Sequence, residues 1–306
     1  KISESSTIIE IARQLPTRMW TSATALAEMA QQLSIIGAHE LADEFARAAV
    51  AYDPKHPPSL SIMARMDVFY GRLADAAEHA ERCLAIVPDE PGTHWLLSRL
   101  RLPDAGKRID RIEGILARTQ EPGAVSSLAY ALHNELHDQK DYARSWDALS
   151  LACRVKRQQL GYTPAESDVL FGALHQWSPQ EAAINDGFVD PTLQPIFVVG
   201  MHRSGTTLSE RIISGHSRVA AGGETYDITA ALRRASGFHC RLETDRRIVE
   251  ARAGFDYRRI GAEYLDSMRW RAGGAPCITD KLPSNFLYIG FIARALPQAR
   301  FVRLRR

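Results

Sequence analysis

The stretch from Pro195 to Thr207 constrains the fold of this chain more than any other segment. It begins with an unbroken apolar run, Ile196–Val199, typical of a strand buried on both faces of a parallel sheet. Gly200 and Gly205 then bracket a short loop, and apolar side chains follow at the spacing of a helix with one buried face. Those apolar positions are Leu208, Ile212 and Ile213. Strand, loop and helix together direct backbone N–H groups to one point, which predicts a site for phosphate or a similar oxyanion.

The residue after Gly205 decides which kind of phosphate loop this is. Nucleotide triphosphatases place Lys there, whereas this chain has Thr206 and Thr207, with Arg203 as the strong cation inside the loop. An Arg fork with two hydroxyl groups suits a terminal phosphate or a phosphosulfate. A kinase-type phosphotransferase is the alternative enzyme, and the missing Lys argues against it.

The loop resembles the 5′-phosphosulfate loop of sulfotransferases that use 3′-phosphoadenosine-5′-phosphosulfate (PAPS), with His202 where Pro is usual. The resemblance implies that PAPS is the donor and that its 5′-phosphate is bound by Arg203, Ser204, Gly205, Thr206 and Thr207. It requires no metal, and the residues indicate no metal-ligand cluster.

Three later segments extend the resemblance. Gly222–Glu224 is similar to the Gly-Glu pair of tyrosylprotein sulfotransferases. Thr279–Tyr288 resembles the Asp-Lys-x-Pro-x-Asn-Phe segment of bacterial sulfotransferases fused to tetratricopeptide repeats. Arg300–Arg306 resembles the strand that ends at an Arg contacting the 3′-phosphate, which implies that role for Arg306.

Sulfuryl transfer needs a cation at the departing oxygen and a base for the acceptor proton. The resemblance assigns Lys281 to the departing oxygen and Glu224 to the base. His202 is the competing base because imidazole titrates near neutrality. The identity of the acceptor stays open: it is a peptide (with tyrosine as one acceptor residue), a saccharide or a small molecule.

The N-terminal half repeats residue types at a spacing of 34, which is the tetratricopeptide period. The matching positions are Gly37 and Gly71, Ala42 and Ala76, Ala46 and Ala80, Ala49 and Cys83, and Pro54, Pro88 and Pro122. Small residues recur where paired helices touch, and Pro recurs at the end of the second helix. Each pair cannot bury its apolar face alone, so three or four pairs are predicted to stack into a solenoid.

The balance of charge and apolar residues sets the remaining expectations. The chain has 306 residues, 45% hydrophobic residues, a net charge of +2 and four scattered cysteines. These values predict a cytoplasmic globular protein without a membrane span, a zinc site or a nucleic-acid partner. Because the chain begins at Lys1 and not at Met, the question whether an N-terminal targeting segment has been removed is left open.

The sequence therefore predicts an α-solenoid over residues 1–160, a connector with one helix over 161–194, and a P-loop-like α/β domain with a parallel sheet over 195–306. In the last part we expect strands at Cys277–Thr279 and Phe301–Leu304, and a helix at Ser284–Leu296. The domain is expected to continue beyond Arg306. The repeats are expected to hold the acceptor, a protein partner or a second subunit; a non-catalytic repeat scaffold is the remaining alternative.

Overall fold

The computed structural model describes residues 5–240 and 244–305. Contacts divide them into two compact units, one of residues 8–162 and one of residues 163–305 together with residues 5–7. The predicted connector helix, Ala165–Gln176, is observed at Pro164–His175 and groups with the second unit.

The first unit consists of helices arranged as successive pairs, in which α2 packs on α3, α4 on α5 and α8 on α9. Its helices are α1 (Ser5–Gln14), a 3₁₀ turn at Thr17–Met19, α2 (Ala23–Ile35), α3 (His39–Tyr52), α4 (Pro57–Phe69), α5 (Leu73–Ile86), α6 (Pro91–Ser98), α7 (Ala105–Leu116), α8 (Pro122–Asp138) and α9 (Tyr142–Leu160).

The period of 34 residues corresponds to one helix pair. The small residues that repeat on α3 and α5 all have an exposed fraction of 0%. They are Ala42, Ala46 and Ala49 on α3, and Ala76, Ala80 and Cys83 on α5. Side chains of this size let helix backbones approach closely, which explains why the period is expressed most clearly at these positions.

The proline part of the pattern holds for two repeats and fails for the third. Pro54 and Pro88 follow the ends of α3 and α5, as predicted. Pro122 instead begins α8, because α7 already ends at Leu116. Proline suits the first turn of a helix, where its missing N–H group has no intrahelical partner to lose.

A buried ion pair joins α7 to α8. Arg108 donates from Nε to Glu135 Oε1 at 2.7 Å and from Nη2 to Oε2 at 2.9 Å. Arg108 also donates to the carbonyl oxygens of Leu102 and Pro103, at 2.7 and 2.6 Å. Both side chains are under 10% exposed, so this charge is satisfied inside the unit.

The second unit is an α/β structure. Its elements are α10 (Pro164–His175), α11 (Pro179–Ala182), β1 (Gln194–Gly200), α12 (Thr206–Ile213), β2 (Val219–Ala221), α13 (Asp227–Ser236), α14 (Arg246–Glu250), a 3₁₀ turn at Ala251–Gly254, α15 (Tyr257–Ala272), β3 (Cys277–Asp280), a 3₁₀ helix at Pro283–Tyr288, α16 (Ile289–Ala295) and β4 (Arg300–Leu304).

Within the described residues the sheet has the order β2-β3-β1-β4, and every neighbouring pair is parallel. Phe197 of β1 lies opposite Asp280 of β3 and Phe301 of β4. Phe197, Val198 and Val199 are fully buried, as the apolar run predicted. The fold prediction is confirmed: a helical repeat region is followed by an α/β region with a parallel sheet.

Two local predictions in the second unit are wrong. Leu208 and Ile212 were expected on the buried face of α12, yet they are 66% and 71% exposed, while the opposite face buries Glu210. The predicted helix Ser284–Leu296 is a 3₁₀ helix as far as Tyr288 and α-helical only in α16. The tighter turn holds Asn285 close to Asp280, with 3.0 Å between Nδ2 and Oδ1.

Candidate functional site

The glycine-bracketed loop connects β1 to α12 at the carboxyl end of the sheet. At Gly200 an added Cβ atom would lie 2.8 Å from the carbonyl oxygen of Leu304, so any larger residue would displace β4. Arg203 and Gly205 have φ angles of 66° and 97°, which turn the chain sharply before Thr206 begins the helix. The loop therefore presents the start of α12 at the sheet edge where parallel α/β proteins bind ligands.

The side chains of the loop differ in exposure. Arg203 and Thr207 are exposed, whereas Thr206 is 5% exposed. The Ser204 hydroxyl is buried and has no hydrogen-bond partner among the described residues. A buried hydroxyl without a partner is costly unless a ligand or water completes it, so the loop fits an oxyanion.

A buried carboxylate of α12 fixes the neighbouring turn. Glu210 Oε1 accepts the backbone N–H of Gly223 at 3.0 Å and the Thr279 hydroxyl at 2.9 Å. Gly222 donates its own N–H to Thr279 Oγ1 at 3.2 Å, and a Cβ atom there would lie 2.0 Å from the Thr279 carbonyl oxygen. Residue 222 must therefore be glycine for the turn to pack against β3.

This turn brings Glu224 to Lys281. Glu224 follows β2, Lys281 follows β3, and the N–H of Lys281 donates to the Gly223 carbonyl at 2.8 Å. Lys281 Nζ donates to Glu224 Oε1 at 2.5 Å. The Lys281 side chain is 7% exposed and that of Glu224 is 53% exposed. A sheltered cation therefore faces a carboxylate that solvent and an incoming molecule can reach.

Asp280, directly before Lys281, lies at the centre of a buried network. Its Oδ2 accepts from the Thr225 hydroxyl at 2.9 Å and the Tyr264 hydroxyl at 3.0 Å, while Oδ1 accepts from Asn285. Burial raises the pKa of Asp280 to about 7. Burial also raises the pKa of Tyr264 well above its ordinary value, and the Asp280 charge acts in the same direction. Through Thr225 and its own chain neighbour, Asp280 ties the two residues of the ion pair to the sheet.

The structure brings part of the predicted site together. Glu224 and Lys281 are in contact, and the loop that carries Arg203 follows the adjacent strand at the same edge. His202, the competing base, is exposed in that loop. Arg306 lies outside the described residues.

Sequence reasoning missed the residues that support this site. Glu210, Thr225 and Tyr264 lie between the motifs and form part of no short pattern. The buried carboxylate of Glu210 carried one available signal, a charged residue one turn into a helix with apolar neighbours. Nothing comparable marked Tyr264, which reaches the site from α15.

Residues 195–306 match the sequence profile of the sulfotransferase family. This confirms the resemblance drawn from the loop and the Asp-Lys segment, and this part of the chain is a sulfotransferase-family domain. An uncharacterized protein of Aquifex aeolicus (strain VF5) is 27% identical in an alignment 282 residues long, which covers 87% of this chain and 35% of that protein. The chain thus spans about a third of the length of this curated relative.

Among solved structures, two crystal structures of MamA are similar to this chain. They have TM-scores of 0.40 and 0.39, each at 12% identity over 52% of this chain, and cover 90% and 84% of the MamA chains. The first unit is a repeat domain by its own helix pairs, which recur at a spacing of 34 residues.

Across residues 5–240 and 244–305, no helix combines the length and apolar character needed to cross a bilayer. The same residues contain no group of three or more His, Cys, Asp or Glu side chains arranged to hold a metal ion.

Proposed function

We propose that the α/β domain transfers the sulfuryl group of PAPS to an acceptor hydroxyl or amine. The observation that carries the proposal is the Lys281–Glu224 contact of 2.5 Å, at the sheet edge that also presents the glycine-bracketed loop. It supplies a cation and an accessible carboxylate together, and both are required by sulfuryl transfer.

The loop is the proposed site for the donor's 5′-phosphate. Its support is the unpartnered Ser204 hydroxyl, the start of α12 at Thr206, and Arg203 at the turn. Gly205 leaves the helix start open, and Thr207 adds an exposed hydroxyl. Donors arranged in this way favour an anionic phosphate without a metal ion. Arg306 stays the proposed contact of the 3′-phosphate.

The reaction we propose forms a bond between the acceptor oxygen or nitrogen and sulfur while the bond from sulfur to the phosphate oxygen breaks. The acceptor proton passes to the Glu224 carboxylate, which the structure leaves half exposed. Lys281 stabilises the negative charge that develops on the departing phosphate oxygen. Its burial strengthens this interaction, because screening by water is weaker inside the domain.

For the acceptor we propose only a chemical class, and for the protein a cellular compartment. The acceptor is a peptide, a saccharide or a small molecule, and peptide tyrosine is the first to test. The proposed compartment is the cytoplasm, and the repeat domain is the proposed element for a protein partner or self-association.

Nucleotide binding tests the donor assignment. Adenosine 3′,5′-bisphosphate should raise the melting temperature of the chain in the presence of EDTA, because a ligand of the native state stabilises it. Arg203→Ala should remove most of this shift, whereas Arg258→Ala, an exposed Arg on α15, should leave it unchanged. Stabilisation by Mg-ATP and not by the bisphosphate would instead support the kinase alternative.

Turnover tests the two catalytic roles. Glu224→Gln keeps the shape of the side chain but removes its basicity, so sulfuryl transfer should fall about 10²-fold or more with bisphosphate affinity retained. Lys281→Ala should also lower turnover, through the lost charge at the departing oxygen. Glu250→Gln, which alters an exposed ion pair with Arg246, is the matched control. Full activity in Glu224→Gln would transfer the base role, with His202 next to be tested. Stable folding without any PAPS hydrolysis or transfer would favour the scaffold alternative.

A further inference from the structure

A groove runs across α2, α4, α6 and α8 in the unit of residues 8–162. Three cavities with volumes of about 570, 790 and 280 Å³ adjoin one another along it. The first two share Arg65 and Glu90 among their lining residues, and the last two share Arg99 and Arg101. The lining therefore continues from α2 through α4 and α6 to α8.

The middle part of the groove combines cationic and apolar side chains. Arg65, Arg99 and Arg101 line it, and all three are exposed. Apolar side chains lie between them, and the largest are Phe69 and Trp95, which are 54% and 43% exposed. Exposed aromatic side chains rimmed by charges are the usual composition of a binding surface.

The carboxylates that line the groove cap a helix or lie toward its two ends. Glu28 of α2 lines the first cavity, at one end. Both oxygens of Glu90 accept backbone N–H groups at the start of α6, from Gly92 and Thr93. Asp138 forms an ion pair with Arg101 at the α8 end of the groove, with 3.8 Å between Oδ1 and Nε. The middle section therefore has three guanidinium groups against one carboxylate that caps a helix, an excess of positive charge.

We infer that this groove binds an extended acidic peptide segment that carries an aromatic or large apolar side chain. Carboxylates of the peptide would pair with Arg65, Arg99 and Arg101, while the apolar side chain packs between Phe69 and Trp95. Arg99 already lies over the Trp95 ring, 5.2 Å from its centroid, so its guanidinium plane is held toward the groove. The three steps between α2, α4, α6 and α8, at about 10 Å each, accommodate roughly nine extended residues.

The inference is independent of the proposed sulfuryl transfer, because it concerns equilibrium binding to the other unit. The probe is a fluorescein-labelled peptide of about ten residues in which glutamates flank a tyrosine and a leucine. Its partner probe replaces every glutamate with lysine. Fluorescence anisotropy is measured on the full chain without nucleotide, so failure of sulfuryl transfer and failure of this inference remain distinguishable.

The acidic peptide should bind, the lysine peptide should not, and added salt should weaken the binding. The variant with Arg65→Glu and Arg99→Glu should bind the acidic peptide at least about tenfold more weakly, because each change reverses a charge at the groove. Arg157→Glu is the matched control: Arg157 lies over the Tyr162 ring, in the same unit, outside the groove. Circular dichroism verifies folding, and the milder Arg99→Ala should show a smaller loss in the same direction.

Three results would overturn the inference. One is equal binding of the acidic and lysine peptides, or binding of neither. Another is unchanged affinity in the folded Arg65→Glu, Arg99→Glu variant. The third is displacement of the acidic peptide by a single-stranded oligonucleotide at lower concentration than by the unlabelled peptide, which would identify the groove as a nucleic-acid site.

Discussion

Two buried carboxylates, one in each unit, are stabilised in different ways. Glu135, in the helical unit, forms a two-point ion pair with Arg108. Asp280, at the end of β3, is fully buried and accepts hydrogen bonds from two hydroxyls and an amide. A cation supports the first carboxylate directly, whereas neutral donors surround the second, whose pKa burial raises to about 7.

The difference separates a structural role from a role in a site. An ion pair such as Arg108–Glu135 holds two helices together and keeps a fixed charge. Burial raises the pKa of Asp280 to about 7 although the hydroxyl groups of Thr225 and Tyr264 act in the opposite direction. Asp280 precedes Lys281 and accepts a hydrogen bond from Thr225, which follows Glu224, so this buried carboxylate lies beside the Lys281–Glu224 pair.

The largest effect on stability is expected when the ion pair between Arg108 and Glu135 is broken. Glu135→Gln leaves the buried Arg108 charge without its counterion, which should lower the free energy of unfolding of this unit by about 3–5 kcal/mol. Thermal denaturation followed by circular dichroism measures the loss. The control is Glu113→Gln, in an exposed pair with Arg144, which should cost about 1 kcal/mol or less. Equal losses in the two variants would remove the distinction between buried and exposed pairs.

A pH effect of intermediate size is expected at Asp280. Between pH 3.8 and about 7 the folded chain keeps a proton that the unfolded chain loses, so this group's stabilisation declines as pH rises through that window. The stabilisation that Asp280 contributes is complete below pH 3.8 and is lost as the pH passes about 7. Asp280→Asn stays neutral throughout, and its melting temperature should decline less than the wild type's between pH 5 and pH 8.

Asp266→Asn is the control for this measurement, because Asp266 is exposed on the same helix as Tyr264. Its melting temperature should follow the wild-type dependence on pH. Parallel curves for wild type and Asp280→Asn would contradict a titration of Asp280 in this range.

The smallest effect is expected at Glu210. Both hydrogen bonds that it accepts, from Gly223 and Thr279, end on Oε1, an oxygen that glutamine retains. Glu210→Gln should therefore cost about 1 kcal/mol or less by thermal denaturation. A loss as large as that of Glu135→Gln would show that the charge of Glu210, and not its geometry, holds the turn.

Much of the fold was predictable because its signals are local. The apolar run of β1 and the glycines after it predicted the strand and the loop, and the period of 34 predicted the helix pairs. The second strand, Val219–Ala221, was not predicted, since three residues carry too little pattern. The buried face of α12 was predicted wrongly because helical spacing defines two faces and does not determine which one meets the sheet.

Part of the site was predictable in the same way. Glu224 and Lys281 were singled out by their motifs, and the predicted parallel sheet placed Gly200 and Lys281 at one edge. The position of Glu224 at the same edge depends on β2, which was not predicted. The direct contact of Glu224 with Lys281 and the unequal exposure of the two side chains were not predictable, because both depend on the turn that Glu210 and Thr279 hold.

The sequence by itself determined the parallel strand with its oxyanion loop, the repeating helix pairs, and which residue types stand at the loop and the sheet edge. These depend on residues close together in the chain or at a constant spacing. Only the tertiary structure decided that Tyr264, Thr225 and Asn285 surround Asp280, and that Lys281 is sheltered while Glu224 is accessible. Burial, ion pairing and pKa are set by neighbours in space, and those neighbours come from segments up to about 60 residues apart.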